Sequence, residues 1–145
     1  MKHGLIRENK FKVVSKVPVE DKPHYPLETN ELITVLANCE KLYPKFFAMI
    51  YTEIATGMRY GELCALTVKD IHFETDNNYI HVCKQFTKGM LLPNTKTKFI
   101  RDVSIFDDLA EVLKVHISNL PKGSNLLFPN RAGNYQNPSN LRNRK

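Results

Sequence analysis

Arg59 lies two residues beyond Gly57, which ends one helical pattern, and at the first turn of another, with Glu62 three positions further on. A guanidinium there offers a planar fork of donors matched to phosphate oxygens, and the free N–H groups of a helix start favour the same kind of anion. Glu62, one turn later, is spaced to hold Arg59 by a charge-assisted hydrogen bond. Spacing alone does not separate such a site from a solvent-facing arginine, so the distribution of charge matters. No Asp or Glu falls between Asn77 and Arg101, where Lys84, Lys88, Lys96, Lys98 and Arg101 lie. None follows Glu111, while Lys114, Lys122, Arg131, Arg142, Arg144 and Lys145 do. Two acid-free basic runs in one small domain fit a phosphate backbone better than merely solvated faces. The totals agree: 21 Lys and Arg against 15 Asp and Glu give a net charge of +6.

Other chemistries find little support. Cys39, Cys64 and Cys83 are odd in number and form no C-x-x-C pair, which argues against a disulfide framework or a zinc site and fits a reducing cytoplasm. There is no cluster of metal ligands and no phosphate-cradling Gly-rich loop, so neither a metal nor a small-molecule cofactor is expected. The opening MKHGLIRENK lacks the apolar segment of a signal peptide, and no apolar run approaches the roughly 20 residues that span a bilayer. No membrane partner is expected.

The elements that must position these residues are legible in outline. With 42% apolar and 25% charged residues, the 145-residue chain suits one folded core. Residues 1–24, punctuated by Pro18 and Pro23, read as a linker or arm, and the fold is expected to begin near Tyr25. Leu32, Ile33, Val35, Leu36 and Leu42 suit an amphipathic helix capped near Glu28 or Thr29. Pro44 separates it from a second helix carrying Phe46, Phe47, Met49, Ile50 and Ile54, for which Gly57 is the C-terminal stop. A short third helix is expected over 60–66. The period then changes: Ile71 and Phe73, the turn residues TDNN, and YIHVCKQF read as a two-stranded hairpin. A long connection, TKGMLLPNTKTK, leads to a third strand in FIRDVSI. Asp107 or Asp108 is the expected cap of a further helix closed by Pro121 and Gly123. LLFP is a short extended piece, and NPSN opens a last helix at 141–145.

Three stretches, taken together, resemble a known family. TGMRYGELCALTVKDIHF resembles the first signature box of the tyrosine recombinases, T-G-x-R-x-x-E-L-x-x-L-x-W-x-D-I-[DN]. PNTKTKFIRDVSI is similar to the stretch of integrases from temperate phages and conjugative transposons that carries a K-T pair and closes on R-x-[IV]-x-[IL]. LLFPNRAGNYQNPSN is similar to the piece that follows in those proteins. Order and spacing agree from about Pro26 to the end. The resemblance implies an α+β fold: a mostly helical catalytic-domain fragment with a small three-stranded antiparallel sheet packed on one side. Residues 1–24 become a linker from an upstream DNA-binding domain, and 25–145 a partial catalytic domain.

By the same resemblance Arg59 matches the arginine that clamps the scissile phosphate, supported by Glu62. Lys96, seven residues before Val103, matches the lysine of the β-hairpin loop, with Lys98 and Lys88 as rivals. Lys84, Lys88, Lys98, Arg101 and Arg131 are the expected DNA contacts, Arg101 on a backbone phosphate. In the implied reaction a tyrosine hydroxyl attacks a phosphodiester of double-stranded DNA, a phosphotyrosine link forms and a 5′-hydroxyl leaves. Pre-placed cations meet the charge that develops, and an ammonium protonates the leaving oxygen. The family's H-x-x-R box and its nucleophilic Tyr belong downstream of the segment matching NPSNLRNRK, so the chain reads as catalytically incomplete. Its six tyrosines all precede that point and read as packing or surface residues. The implied partners are duplex DNA and other protomers of the same recombinase, four in the family's working assembly. Two other readings stay open: a non-catalytic DNA-binding module, and a truncated remnant that associates with other chains through exposed apolar surface.

Overall fold

The computed structural model describes residues 25–74, 77–93 and 100–136. The expected arm at 1–24, the last helix at 141–145, Lys96 and Lys98 lie outside them.

Helix α1 (Thr29–Leu42) starts where the Glu31 carboxylate accepts the Glu28 N–H at 2.8 Å, a capping-box arrangement built with Glu in the cap position. Its apolar residues are only partly used. Cys39 is buried, Leu32 and Leu36 are half-buried, and Ile33, Val35 and Leu42 face outward. Helix α2 (Pro44–Thr56) takes Pro44 at its first position, where no N–H is missed, and buries Ala48, Met49 and Thr52. It stops at Gly57, whose φ of 60° is the left-handed conformation glycine adopts without Cβ strain. Helix α3 (Tyr60–Ala65) follows at once and buries Glu62, Leu63, Cys64 and Ala65.

A 3₁₀ turn (Val68–Asp70) leads into strand β1 (Ile71–His72), which pairs antiparallel with β2 (Tyr79–Val82). Strand β2 continues the sheet to β5 (Arg101–Ser104), in the order β1-β2-β5, with Ile80 opposite Val103 and Val82 opposite Arg101. This is the small three-stranded antiparallel sheet of the α+β expectation. YIHVCKQF, however, is not one strand. It breaks at Cys83 and Lys84, and Gln85–Thr87 becomes β3, paired with β4 (Met90–Leu92) in a separate two-stranded hairpin. The hairpin is possible because Lys88 and Gly89 both take positive φ, 50° and 77°, the left-handed pair that a two-residue turn between twisted strands needs. Lysine is an unusual residue at the first of those positions, so the stretch reads as plain connection in the sequence.

Helix α4 (Asp107–Ser118) is capped at Phe106, not at Asp107 or Asp108; the two acids instead occupy its first turn, where they complement the helix dipole. Asp107 also accepts a hydrogen bond from Asn78 Nδ2 at 3.0 Å, tying the helix start to the residue just before β2. LLFP runs extended against the end of α3: Leu127 N–H donates to Leu66 O and Val68 N–H to Asn125 O, with Thr67 bridged to Leu126. Leu63, Leu66, Ile80, Val82, Leu109, Leu113 and Leu127 form the fully buried centre, shared by α3, the sheet, α4 and this extended piece. On the outside, α2, α4 and the loop after Phe128 enclose a groove of about 1260 Å³.

Candidate phosphate site

Short-range geometry prepares Arg59. The left-handed Gly57 turns the chain out of α2, Met58 is buried as an anchor, and Arg59 takes the extended N-cap conformation of α3. Gly61 then lets the helix lie directly on β3, since a Cβ at that position would stand 2.9 Å from the Phe86 carbonyl oxygen. That approach directs Glu62, at the third position of α3, inward toward the start of β5.

Glu62 is 0% exposed and its carboxylate is fully occupied. Oε2 accepts the Arg59 backbone N–H at 3.1 Å and Arg101 Nη2 at 2.8 Å; Oε1 accepts Arg59 Nη1 at 3.3 Å and Arg101 Nη1 at 3.2 Å. Arg101 therefore grips the carboxylate with both terminal nitrogens, whereas Arg59 commits one. Burial by itself would raise the Glu62 carboxyl, but the Arg101 hydrogen bonds, the Arg59 N–H, the charge of Arg101 and the Arg59 side chain together hold it below its ordinary value. Arg101 is shifted upward in return, chiefly by its hydrogen bonds to Glu62. Two guanidinium groups on one carboxylate leave a local charge of +1, with the Arg59 side chain 51% and the Arg101 side chain 36% exposed. The cationic character comes from these side chains and not from the helix start, because α3 has only six residues.

The other expected contacts are arranged differently. Lys84 donates to Asp70 Oδ1 and Oδ2 at 2.7 and 2.5 Å, and Asp70 also takes the Thr67 N–H and hydroxyl, so this ammonium is held in a part-buried pair. Lys88 is exposed at the tip of the β3–β4 hairpin. Arg131 is exposed on a turn that Asn130 organises by accepting the N–H groups of Ala132 and Asn134. Thus Arg59, Glu62 and Arg101 are brought together among the described residues, and Lys84, Lys88 and Arg131 are not joined to them by any described contact.

Sequence reasoning left the Arg101–Glu62 pairing unseen. The two residues are 39 positions apart, and they meet only because α3 packs on β3 while the β2–β5 register sets where Arg101 stands. The tyrosines pack or lie on the surface: Tyr135 stacks on Phe86 with centroids 4.6 Å apart, Tyr79 on His72 at 4.4 Å, and Tyr51 tilts against Phe47. Tyr25 and Tyr43 are exposed. The Tyr60 hydroxyl is buried, and burial, with the charges of Cys64 and Glu53, pushes its phenol far up. His81 Nδ1 lies 2.6 Å from Asp102 Oδ1, one register step along β2 and β5 from Arg101 and so on the opposite face of the sheet. Among the described residues no group of His, Cys, Asp and Glu is placed to hold a metal ion, and no helix is long and apolar enough to cross a membrane.

The fold has relatives. Over 85 residues, 56% of this chain and 28% of the relative, the sequence is 35% identical to tyrosine recombinase XerC of Bacillus pumilus. The structure superposes on the Tn1549 transposon integrase in complex with transposon right end DNA at a TM-score of 0.69 and 24% identity, covering 91% of this chain and 47% of that one. It also superposes on the XerH site-specific recombinase bound to difH substrate in a pre-cleavage complex, at a TM-score of 0.59 and 24% identity, covering 79% of this chain and 33% of that one. At such identity the two superpositions establish a common fold, and the chain spans less than half the length of each of these relatives. The model of the phage integrase family matches residues 25–144, and the chain belongs to that family, the tyrosine recombinases.

Proposed function

We propose that this chain is part of a site-specific recombinase that cleaves and rejoins double-stranded DNA through a phosphotyrosine intermediate, and that Arg59 holds the scissile phosphate. The observation that carries the reading is the Arg59–Glu62–Arg101 cluster: a half-exposed guanidinium, braced from behind by a buried carboxylate, with a net positive charge at neutral pH. Such a cluster needs no rearrangement to meet a phosphate whose equatorial oxygens gain charge as the tyrosine oxygen attacks. In that step the tyrosine hydroxyl gives up its proton to solvent, and the new phosphotyrosine P–O bond forms as the bond to the 5′-oxygen breaks. The departing oxygen takes a proton from the Lys96 ammonium, since a lysine side chain carries a proton it can donate at neutral pH. Lys98 remains the nearest alternative donor. The nucleophilic tyrosine and the second arginine box of the family would come from sequence following the segment matched here. Other protomers of the recombinase are the expected protein partners, and the DNA of the cytoplasm the substrate. The XerH and Tn1549 complexes with DNA support the class of substrate, as statements about those proteins.

The test uses a longer form of the protein carrying the downstream boxes and a nicked duplex that traps the covalent intermediate. A protein–DNA adduct should form with the unaltered protein and fall steeply in Arg59→Ala and Lys96→Ala. Equal adduct yields in all three would overturn both assignments. A second reading, association with other chains, is favoured by the α2–α4 groove and the outward-facing Ile33, Val35 and Val115. It requires self-association in sedimentation without measurable affinity for duplex DNA.

A further inference from the structure

We propose that Arg101 is a positioning residue of the phosphate site: it cancels the buried negative charge of Glu62, so that the Arg59 guanidinium stays free for the ligand. The proposal rests on the phosphate reading of Arg59 given above. Glu62 is needed as a brace, because its Oε1 and Oε2 hold the Arg59 side chain and backbone N–H. A brace of this kind carries a penalty of its own. An ionised carboxylate 3.3 Å behind Arg59 Nη1 offsets the positive potential that an incoming phosphate would feel, and with no other partner it would draw the guanidinium into a closed, neutral pair.

Arg101 removes that difficulty by occupying the carboxylate from the side of β5. It donates from Nη1 and Nη2 to both oxygens, and its shorter contact, 2.8 Å, is the closest in the cluster. Arg59 donates to the carboxylate from Nη1 alone among its side-chain nitrogens, and its side chain is the more exposed of the two, 51% against 36%. The division of labour follows from this geometry. Arg101 spends its fork on Glu62, and Arg59 keeps most of its own for the ligand. Glu62 lies below its ordinary carboxylate range, so the charge to be cancelled is present at neutral pH. The register fixes the arrangement, because Arg101 opens β5 opposite the buried Val82 of β2, on the face of the sheet turned toward the core.

The experiment measures the affinity of the 145-residue chain for a fluorescein-labelled duplex oligonucleotide by anisotropy, across a series of salt concentrations. Arg101→Ala should weaken binding by about tenfold and lower the dependence of log K on log salt by about 0.9, the loss of one phosphate contact, because Arg59 is captured by Glu62. Adding Glu62→Gln removes the charge that Arg101 cancels and leaves no orphaned buried ion. The double variant Arg101→Ala, Glu62→Gln should therefore recover affinity to within about threefold of the unaltered chain, and its salt dependence with it. If the double variant stays as weak as Arg101→Ala, Arg101 contacts the phosphate itself or serves only the fold, and the proposal is overturned. It is overturned equally if Arg101→Ala binds normally while Arg59→Ala is weak, in which case the phosphate reading of Arg59 survives without it. An Arg59→Ala chain that binds as well as the unaltered one would instead sink the phosphate reading, and this inference with it.

Discussion

Replacing Arg101 with alanine should destabilise the fold more than replacing Arg59, although Arg59 stands closer in sequence to their common partner. Arg101→Ala deletes two charge-assisted bonds to a carboxylate that is fully buried, at 3.2 and 2.8 Å. Arg59→Ala deletes one, at 3.3 Å, and keeps the backbone N–H that donates to Oε2 at 3.1 Å. Hydrogen bonds to charged groups contribute roughly 1.5–3 kcal/mol, and Arg101 is over a third exposed, so water recovers part of the loss. The expected cost is about 2 kcal/mol for Arg101→Ala and about 0.5 kcal/mol for Arg59→Ala at neutral pH. Urea unfolding of the two variants, followed by circular dichroism, reads this as a shift in midpoint at unchanged slope. The difference must also depend on pH in one direction. The folded Glu62 carboxyl is lowered, so its contribution is complete above the unfolded value of about 4.3 and is lost as pH falls through the folded value. The gap between the variants should therefore close in acid. An Arg59→Ala cost equal to or above that of Arg101→Ala, or a gap that persists at the lowest pH where the chain stays folded, would refute the reasoning.

Gly61→Ala places a methyl group 2.9 Å from the Phe86 carbonyl oxygen, and should cost about 1–3 kcal/mol in urea unfolding while also weakening duplex binding, because α3 carries Arg59. Leu127→Ala, at the fully buried centre, should cost about 2–5 kcal/mol, read from the same titration. Lys84→Ala strips the buried Asp70 of its cation and should lower stability by about 1–3 kcal/mol, while duplex affinity changes by less than about threefold. A larger loss of affinity than of stability would make Lys84 a DNA contact after all.

The helical part of this fold was readable because its punctuation is strong. Pro44 and Gly57 bound α2 as expected, the short third helix lies where the apolar pattern after Arg59 put it, and FIRDVSI supplies the third strand. Features decided by tertiary partners were harder. The apolar period of α1 marks a helix but does not say that Ile33 and Val35 will face outward while Cys39 is buried. The split of YIHVCKQF depends on a Lys88-Gly89 turn whose first residue gives no positive-φ signal. At the site, local spacing sufficed for Glu62 behind Arg59, three positions apart on one helix turn. The pairing of Arg101 with the same carboxylate rests on how α3 packs beside β5 across a separation of 39 residues, and Lys84 with Asp70 on a separation of 14. A basic residue in an acid-free run looks the same in sequence whether it faces solvent, DNA or a buried acid.

Contact between Arg59 and a DNA phosphate is read out by the salt dependence of duplex binding. Arg59→Ala should lower the slope of log K against log salt by about 0.9, the signature of one lost phosphate contact, while Lys41→Ala on the exposed end of α1 leaves it unchanged. Identical slopes for the unaltered chain and Arg59→Ala would contradict the account.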